Sequence, residues 1–369
     1  MDRDMNYKER EARFLGELRK RSQRVKAYLQ GNGRVQRFAP AHIRDSVYSY
    51  IQAGGKLLRP GVLLFSCGAV GGDEERALPA AAGIEVFHTW TLVHDDIIDR
   101  DEKRRGSPTV HEAFRLRAEQ ELGFDPEEAR HYGVSIGILA GDVQHGWAVS
   151  LLTALTAEQG VSPSVALALI RELDGPVLNT IVEGQVLDVQ YSKLSLGRSE
   201  PKGILDMLWK KTGALYEFAG RAGAMIGLGS TDGDHEWIRA IAQFTGRCGT
   251  AFQLQDDILG VVGDERALGK PVGSDIREGK RTTVVHFALE QANDVQRERL
   301  LSVLGHRDIS DCDVAEVREL LEELGGIECT RQLAQQIVAE ALGALDPLPP
   351  SLYKDLLETW AEYTIQRTY

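Results

Sequence analysis

The sequence predicts an all-α protein, a single large helical bundle. Three observations predict it. Apolar residues recur at three- and four-residue spacing from one end of the 369 residues to the other. Almost no segment alternates polar and apolar residues over strand length between hairpin turns. No linker rich in Gly, Ser and Pro and no fixed-period repeat divides the chain, so residues 1–369 are expected to form one domain. Hydrophobic residues make up 43% of the chain, enough for a large core, and helix-on-helix packing is its only source.

Composition narrows the function classes. A formal net charge of −12 argues against a nucleic-acid partner. It leaves an anionic substrate open, because local arginines and metal ions decide that. Cys67, Cys248, Cys312 and Cys329 are far apart and form no CxxC pair, so free thiols in a reduced, cytoplasmic setting are expected. The start, MDRDMNYKEREARF, is highly charged and has no apolar stretch of a secretory signal. The longest apolar-rich segment, 132–155, is interrupted by Asp142, Gln144 and His145; it reads as a core helix, not a membrane span.

Taken in order, residues 1–31 read as a charged amphipathic helix with Phe14, Leu15, Leu18, Val25 and Leu29 on one face. It lies outside the motifs and is expected to be a peripheral cover or a partner contact. Gly31 and Gly33 end it. Residues 41–52 form a short helix that stops at Gly54 and Gly55. Then comes GGKLLRP, 54–60. Gly55 lets backbone approach an anion, Lys56 and Arg59 are spaced to point the same way, and Pro60 suits a first helical turn. The plain alternative is an interhelical turn with solvated charges.

Residues 61–70 are apolar and helical, 71–75 a turn. The helix that begins near Ala77 carries GIEVFHTWTLVHDDIIDRDEKRRGSPTVH, 83–111, the stretch with the most chemistry. At about 100° per residue, Asp95 and Asp99 share one face, and His88 and Thr91 fall within about 40° of it. Two carboxylates one turn apart repel each other unless a cation sits between them. Mg²⁺ takes such oxygen ligands and shares them with substrate phosphates. DDxxD also occurs on solvated helix ends, but the apolar residues around Asp95 argue against a solvated face. Arg104 and Arg105 follow, and guanidinium forks suit phosphate oxygens.

After Pro108, residues 111–121 are a polar amphipathic helix and 124–128 a loop. Helices follow at 132–155 and 164–171. In PVLNTIVEGQVLDVQYS, 176–192, Gln185 and Asp188 either close a core hydrogen bond or line a site. A loop at 194–202 precedes ILDMLWKKTGALYEFAG, helical, with Lys211 and Thr212 in an apolar context. The helix of 236–259 ends in a second acidic pair, Asp256 and Asp257. A loop with Asp264, Lys270, Asp275, Lys280 and Arg281 follows. From Thr282 onward come amphipathic helices and turns.

The two acidic helix ends are about 160 residues apart. Each follows an apolar helix and precedes a basic loop. Carboxylates facing each other across a bundle would hold several Mg²⁺ ions around one diphosphate and draw electrons from it as a leaving group. The resulting carbocation needs a dry apolar pocket.

GGKLLRP, EVFH, DDIID followed by RRG, EGQ with Asp188, KT at 211–212, and FQLQDD with its GK…D…EGK loop occur together, over 54–281. In this set and order the chain resembles the trans-isoprenyl diphosphate synthases, the polyprenyl synthetase family. The resemblance implies an all-α bundle around a deep central cavity and a homodimer. It implies condensation of isopentenyl diphosphate with an allylic diphosphate, with several Mg²⁺ ions. It makes Asp95, Asp99 and Asp256 metal ligands, with Asp96 and Asp257 in support. Gly55, Lys56, Arg59, His88 and Arg105 form the isopentenyl diphosphate site. Arg104, Gln185, Lys211, Lys270 and Lys280 form the allylic diphosphate site. Thr212 and Gln253 lie near the reacting centre. One position departs from the pattern: Gly260 stands where many members have a third Asp, and Asp264 is a candidate to reach a metal-bound water. DDILGxxGD with GKPVGSDIREGK is most like geranylgeranyl diphosphate synthases.

Two rivals remain. A class I terpene cyclase or squalene-type synthase would not need Lys56, Arg59, His88 and Arg105. A non-catalytic regulatory subunit would be expected to lose acidic residues, and both clusters are present. On product length, the resemblance points to residues four and five before the first acidic motif, Thr91 and Trp90, with Phe87 a turn deeper. Thr91 is small. Trp90 lies about 140° from Asp95, so periodicity leaves it either a cavity floor or a packed core residue. An aromatic here, with no insertion in DDIID, implies a C20 product before C15.

Overall fold

The computed structural model describes residues 6–31, 37–192, 201–262, 273–306 and 308–367. They are helical almost throughout, as expected. The chain divides into two compact units. The first comprises residues 1–174, 219–238 and 350–357; the second comprises 175–218, 239–349 and 358–369. Among the described residues no helix is long and apolar enough to cross a membrane.

In the first unit, α1 (Tyr7–Gln30) opens with a capping box in which Asn6 and Glu9 satisfy each other's backbone N–H groups. It is more than a cover. Phe14, Leu18, Val25 and Leu29 are buried, and Arg21 shares their face, bonded to Glu17 and Glu74. Phe14 meets Phe65 at 6.0 Å between ring centroids. Ser22 Oγ donates to the carbonyl of Lys56 at 3.2 Å, so α1 braces the GGKLLRP loop. Helices α2 (Ala41–Ala53) and α3 (Leu58–Ala69) flank that loop, where Leu57 takes a left-handed conformation at φ 49°.

Helix α4 (Leu78–Asp99) carries the first acidic motif and packs chiefly along α6 (Pro126–Gln159). Between them is a two-stranded hairpin, β1 (Lys103–Arg104) and β2 (Ser107–Pro108), then α5 (Val110–Arg117). Arg105 and Gly106, at φ 52° and 76°, form its two-residue turn. The two-residue strands of this hairpin are too short to alter the all-α fold. The α6 helix also starts inside the expected loop at 124–128, before the expected helix start at 132. Asp125 caps it, accepting from the N–H groups of Glu127 and Glu128, and Pro126 fills its first position.

The second unit holds α7 (Leu178–Tyr191), α8 (Pro201–Leu208) and the turn Trp209–Gly213. It also holds most of α9 (Glu236–Val262), the helices that follow as far as residue 349, and residues 358–369. Its core gathers Ile258, Val261, Ile276, Val284 and Leu300. Trp360, fully buried, packs on Tyr216 and Phe244 at 5.2 and 5.8 Å.

Candidate active site

The first unit carries DDIID at the C-terminal end of α4. A helix C-terminus already bears partial negative charge, so anions are unfavourable there without cations. Asp95 keeps 20% of its side-chain exposure and has Arg104 Nη2 4.0 Å away. Asp99, one turn on, is half-buried.

Asp96 behaves differently. It is 1% exposed, and both its oxygens are engaged. Arg104 Nε donates to each at 2.9 Å, and Arg104 Nη2 to Oδ1 at 2.5 Å. The Tyr50 hydroxyl donates to Oδ2 and accepts from the Val110 N–H at 3.2 Å. Burial, then the Asp96 charge, pushes the Tyr50 hydroxyl above its ordinary value, so it stays protonated. Asp96, expected to support the metal ligands, has its lone pairs turned to Arg104 and Tyr50. Arg104, expected on a diphosphate, is committed through two of its three nitrogens.

Of the predicted isopentenyl-side residues, Arg59, His88 and Arg105 come together, with Gly55 against Arg105. Arg59 Nη1 donates to His88 Nε2 at 3.0 Å. Arginine has no acceptor, so Nε2 is the bare nitrogen and the proton sits on Nδ1, toward Thr91 Oγ1 at 3.4 Å. Burial, then the charges of Arg59, Arg105 and Arg104, hold His88 well below the usual histidine range, so it is neutral. Arg105 Nη1 donates to the carbonyl of Gly54. Lys56 is half-buried in the same loop, and Gly55 is exposed. Glu85, one turn before His88, lies among Arg59, Arg105 and Lys26. Burial raises its carboxyl and those cations oppose the rise. Its spacing of three from His88 could have signalled it; nothing in the sequence signals Lys26 or Tyr50.

Farther along α4 lie the length-determining candidates. Phe87 is fully buried. Trp90 is half-buried, packs on Phe87, His145 and His94, and donates to His94 Nδ1 at 3.1 Å. The Thr91 hydroxyl donates to the carbonyl of His88 at 2.7 Å.

The second unit carries the other motifs. Lys211 Nζ lies 2.6 Å from Asp188 Oδ2, which pairs two residues singled out separately in the sequence. Gln185 is half-buried on the same helix as Asp188. The Thr212 hydroxyl donates to Gln253 Oε1 at 2.9 Å, and Gln253 Nε2 donates to Asp257 Oδ1 at 3.2 Å. Asp257 is 6% exposed; burial, then the Asp275 charge, holds its carboxyl well above the usual range. Asp256 is 38% exposed and receives Arg367 Nη2 at 2.5 Å. That guanidinium also stacks on Phe252, 3.8 Å from the ring centroid. Arg367 has no sequence signal.

Gly260 has a physical reason. A Cβ there would lie 2.4 Å from Asp275 Oδ2, so the Asp275 carboxylate fills the space where a third aspartate would begin. Lys280 Nζ faces Asp275 and Glu278 at 3.4 and 2.9 Å. Lys270 and Asp264 lie outside the described residues.

These donors fit Mg²⁺. Among the described residues no three of His, Cys, Asp and Glu gather as a metal-holding group. Each unit instead offers one or two partly exposed carboxylates, Asp95 and Asp99 in the last turns of α4 and Asp256 on the long helix of the second unit, the arrangement for an ion completed by water and substrate phosphates.

The polyprenyl synthetase family profile matches residues 40–324. A short chain isoprenyl diphosphate synthase of Methanothermobacter thermautotrophicus is 40% identical, over 86% of this chain and 88% of its own. A geranylgeranyl diphosphate synthase of Sulfolobus acidocaldarius is 34% identical, over 93% and 94%. The crystal structure of geranylgeranyl pyrophosphate synthase from Corynebacterium glutamicum, complexed with isoprenyl diphosphate and magnesium, matches with a TM-score of 0.80. It is 28% identical, and the match covers 98% of this chain and 100% of that one.

Proposed function

The chain belongs to the polyprenyl synthetase family and is a short-chain trans-prenyl diphosphate synthase, and from that premise we propose that it joins isopentenyl diphosphate to an allylic diphosphate to give a C20 product. The observation that carries this reading is the cationic group of Arg59, Arg105 and Arg104 around neutral His88, on the helix that ends in the first acidic motif. A cyclase working on one diphosphate has no use for it. Both units are read as parts of one catalytic domain.

In this reading Asp95, Asp99 and Asp256 hold Mg²⁺, which when bound neutralises the allylic diphosphate and makes it a leaving group. Lys211, Gln185, Lys270 and Lys280 grip that diphosphate, with Arg104 beside the first motif. Lys56, Arg59 and Arg105 hold the isopentenyl diphosphate on the backbone of Gly55. Neutral His88 orients Arg59 without adding charge. Thr212 and Gln253 turn polar groups toward the reacting carbons, and Asp257 anchors Gln253. The exposed Ile138 and Leu139 on α6 support a homodimer, to be read by light scattering. The four unpaired cysteines support a cytoplasmic setting.

The deciding experiment is turnover of labelled isopentenyl diphosphate with an allylic primer by the purified chain alone. Prenyl diphosphate should form only with Mg²⁺. No consumption of isopentenyl diphosphate would overturn the reading in favour of a cyclase or a silent subunit. Arg59→Ala separates the two substrates: it should raise the Michaelis constant for isopentenyl diphosphate on the order of tenfold, and that for the primer much less. A larger rise for the primer reverses the assignment.

Product length follows from Phe87 and Trp90. The chain grows beside α4 and stops where bulk closes the way. Trp90→Ala, or Phe87→Ala, should lengthen the product by one or more five-carbon units, seen by chromatography beside the parent. Unchanged products in both variants would place the floor on another helix, and a parent product of C30 or longer would refute the short-chain reading.

A further inference from the structure

The Tyr50 hydroxyl joins three elements that the sequence keeps apart. It comes from α2, donates to Asp96 on α4, and accepts from the first N–H of α5, just after the hairpin that carries Arg104. Tyr50 is 9% exposed and Asp96 1%. With Tyr50 on Oδ2 and Arg104 across both oxygens, the carboxylate is fixed in direction. Arg104 is fixed with it, and Nη1 is the guanidinium nitrogen that Asp96 does not engage. Tyr50, Arg104 and Arg105 line one small cleft with Ala53, Leu92 and Ser107.

Asp96 has two possible fates. Its neighbours Asp95 and Asp99 are the proposed metal ligands, and a carboxylate released from its donors would compete with them for the cation. Arg104, released with it, would lose the direction in which its remaining nitrogen faces a diphosphate. Only the hydroxyl of Tyr50 distinguishes these fates, because Arg104 alone can follow the carboxylate wherever it turns. We propose that Tyr50 is a positioning residue for the condensation: through Asp96 it holds Arg104 in the orientation that grips the allylic diphosphate, and keeps Asp96 away from the metal.

This rests on the reading of Arg104 as an allylic-diphosphate residue, and the test separates the two. Tyr50→Phe removes only the hydroxyl. It should raise the Michaelis constant for the allylic primer about tenfold, with the constant for isopentenyl diphosphate nearly unchanged. It should weaken binding of inorganic diphosphate with Mg²⁺, by calorimetry, to a similar degree. In an Arg104→Ala background, Tyr50→Phe should add no further loss. A lowered thermal midpoint with unchanged Michaelis constants makes Tyr50 structural and overturns the proposal. If Arg104→Ala itself leaves the primer constant unchanged, the Arg104 reading fails, and the proposal with it. If Arg104→Ala raises that constant and Tyr50→Phe does not, the proposal alone fails. Should Tyr50→Phe not fold, 3-fluorotyrosine placed at position 50 alone reports on the parent enzyme. Its fluorine resonance should shift when inorganic diphosphate and Mg²⁺ are added; a resonance that does not move overturns the proposal.

Discussion

Asp95→Ala should lower turnover on the order of 10³-fold, about 4 kcal/mol of transition-state stabilisation. The same is expected of Asp256→Ala in the other unit. The loss should fall on kcat measured at saturating substrates, and raising Mg²⁺ should recover only part of it. The accompanying stability change has the opposite sign. Asp95 and Asp99 are like charges one turn apart at the negative end of α4. Removing one of them relieves that repulsion when no metal is present, so the thermal midpoint of the metal-free protein should hold or rise slightly. Near-normal turnover would remove Asp95 from the metal site. A large fall in the metal-free midpoint would make it a structural residue.

What could be read in the sequence was what lies along one helix. His88, Thr91, Asp95 and Asp99 share a face because the helical period puts them there, and α4 does so. Arg59 and His88 are each legible as cations or ligands, yet their hydrogen bond crosses between helices, which no period along one helix specifies. The same limit hid Tyr50, 46 residues from Asp96, and Arg367, 111 residues from Asp256. Periodicity says which face a residue takes, not what meets that face. Asp275 was visible as an acidic loop residue, but its reason appears only in the collision that a side chain at 260 would suffer. The early start of α6 is legible in principle, because an Asp-Pro pair followed by two glutamates is a cap signal. The hairpin at Arg104 is too short for alternation to reveal.

Asp96→Ala should separate the second aspartate of the motif from the first. Its expected effect is on stability. The Arg104 side chain keeps only 16% of its exposure, and Asp96 is the carboxylate that holds it. Deleting one member of a buried, hydrogen-bonded ion pair leaves the other charge desolvated and uncompensated, at a cost of about 3 kcal/mol. The buried Tyr50 hydroxyl loses its acceptor at the same time. The thermal midpoint should therefore fall by several degrees without metal or substrate, where Asp95→Ala leaves it unmoved. Asp96→Asn, which keeps an acceptor oxygen but no charge, should fall between. The decisive variant replaces both partners: Asp96→Ala with Arg104→Met removes the stranded charge, and should recover most of the lost stability while activity stays low. If Asp96→Ala keeps the parent midpoint and only its Mg²⁺ requirement rises, Asp96 is a metal ligand after all, and the contacts to Tyr50 and Arg104 belong to the metal-free state alone.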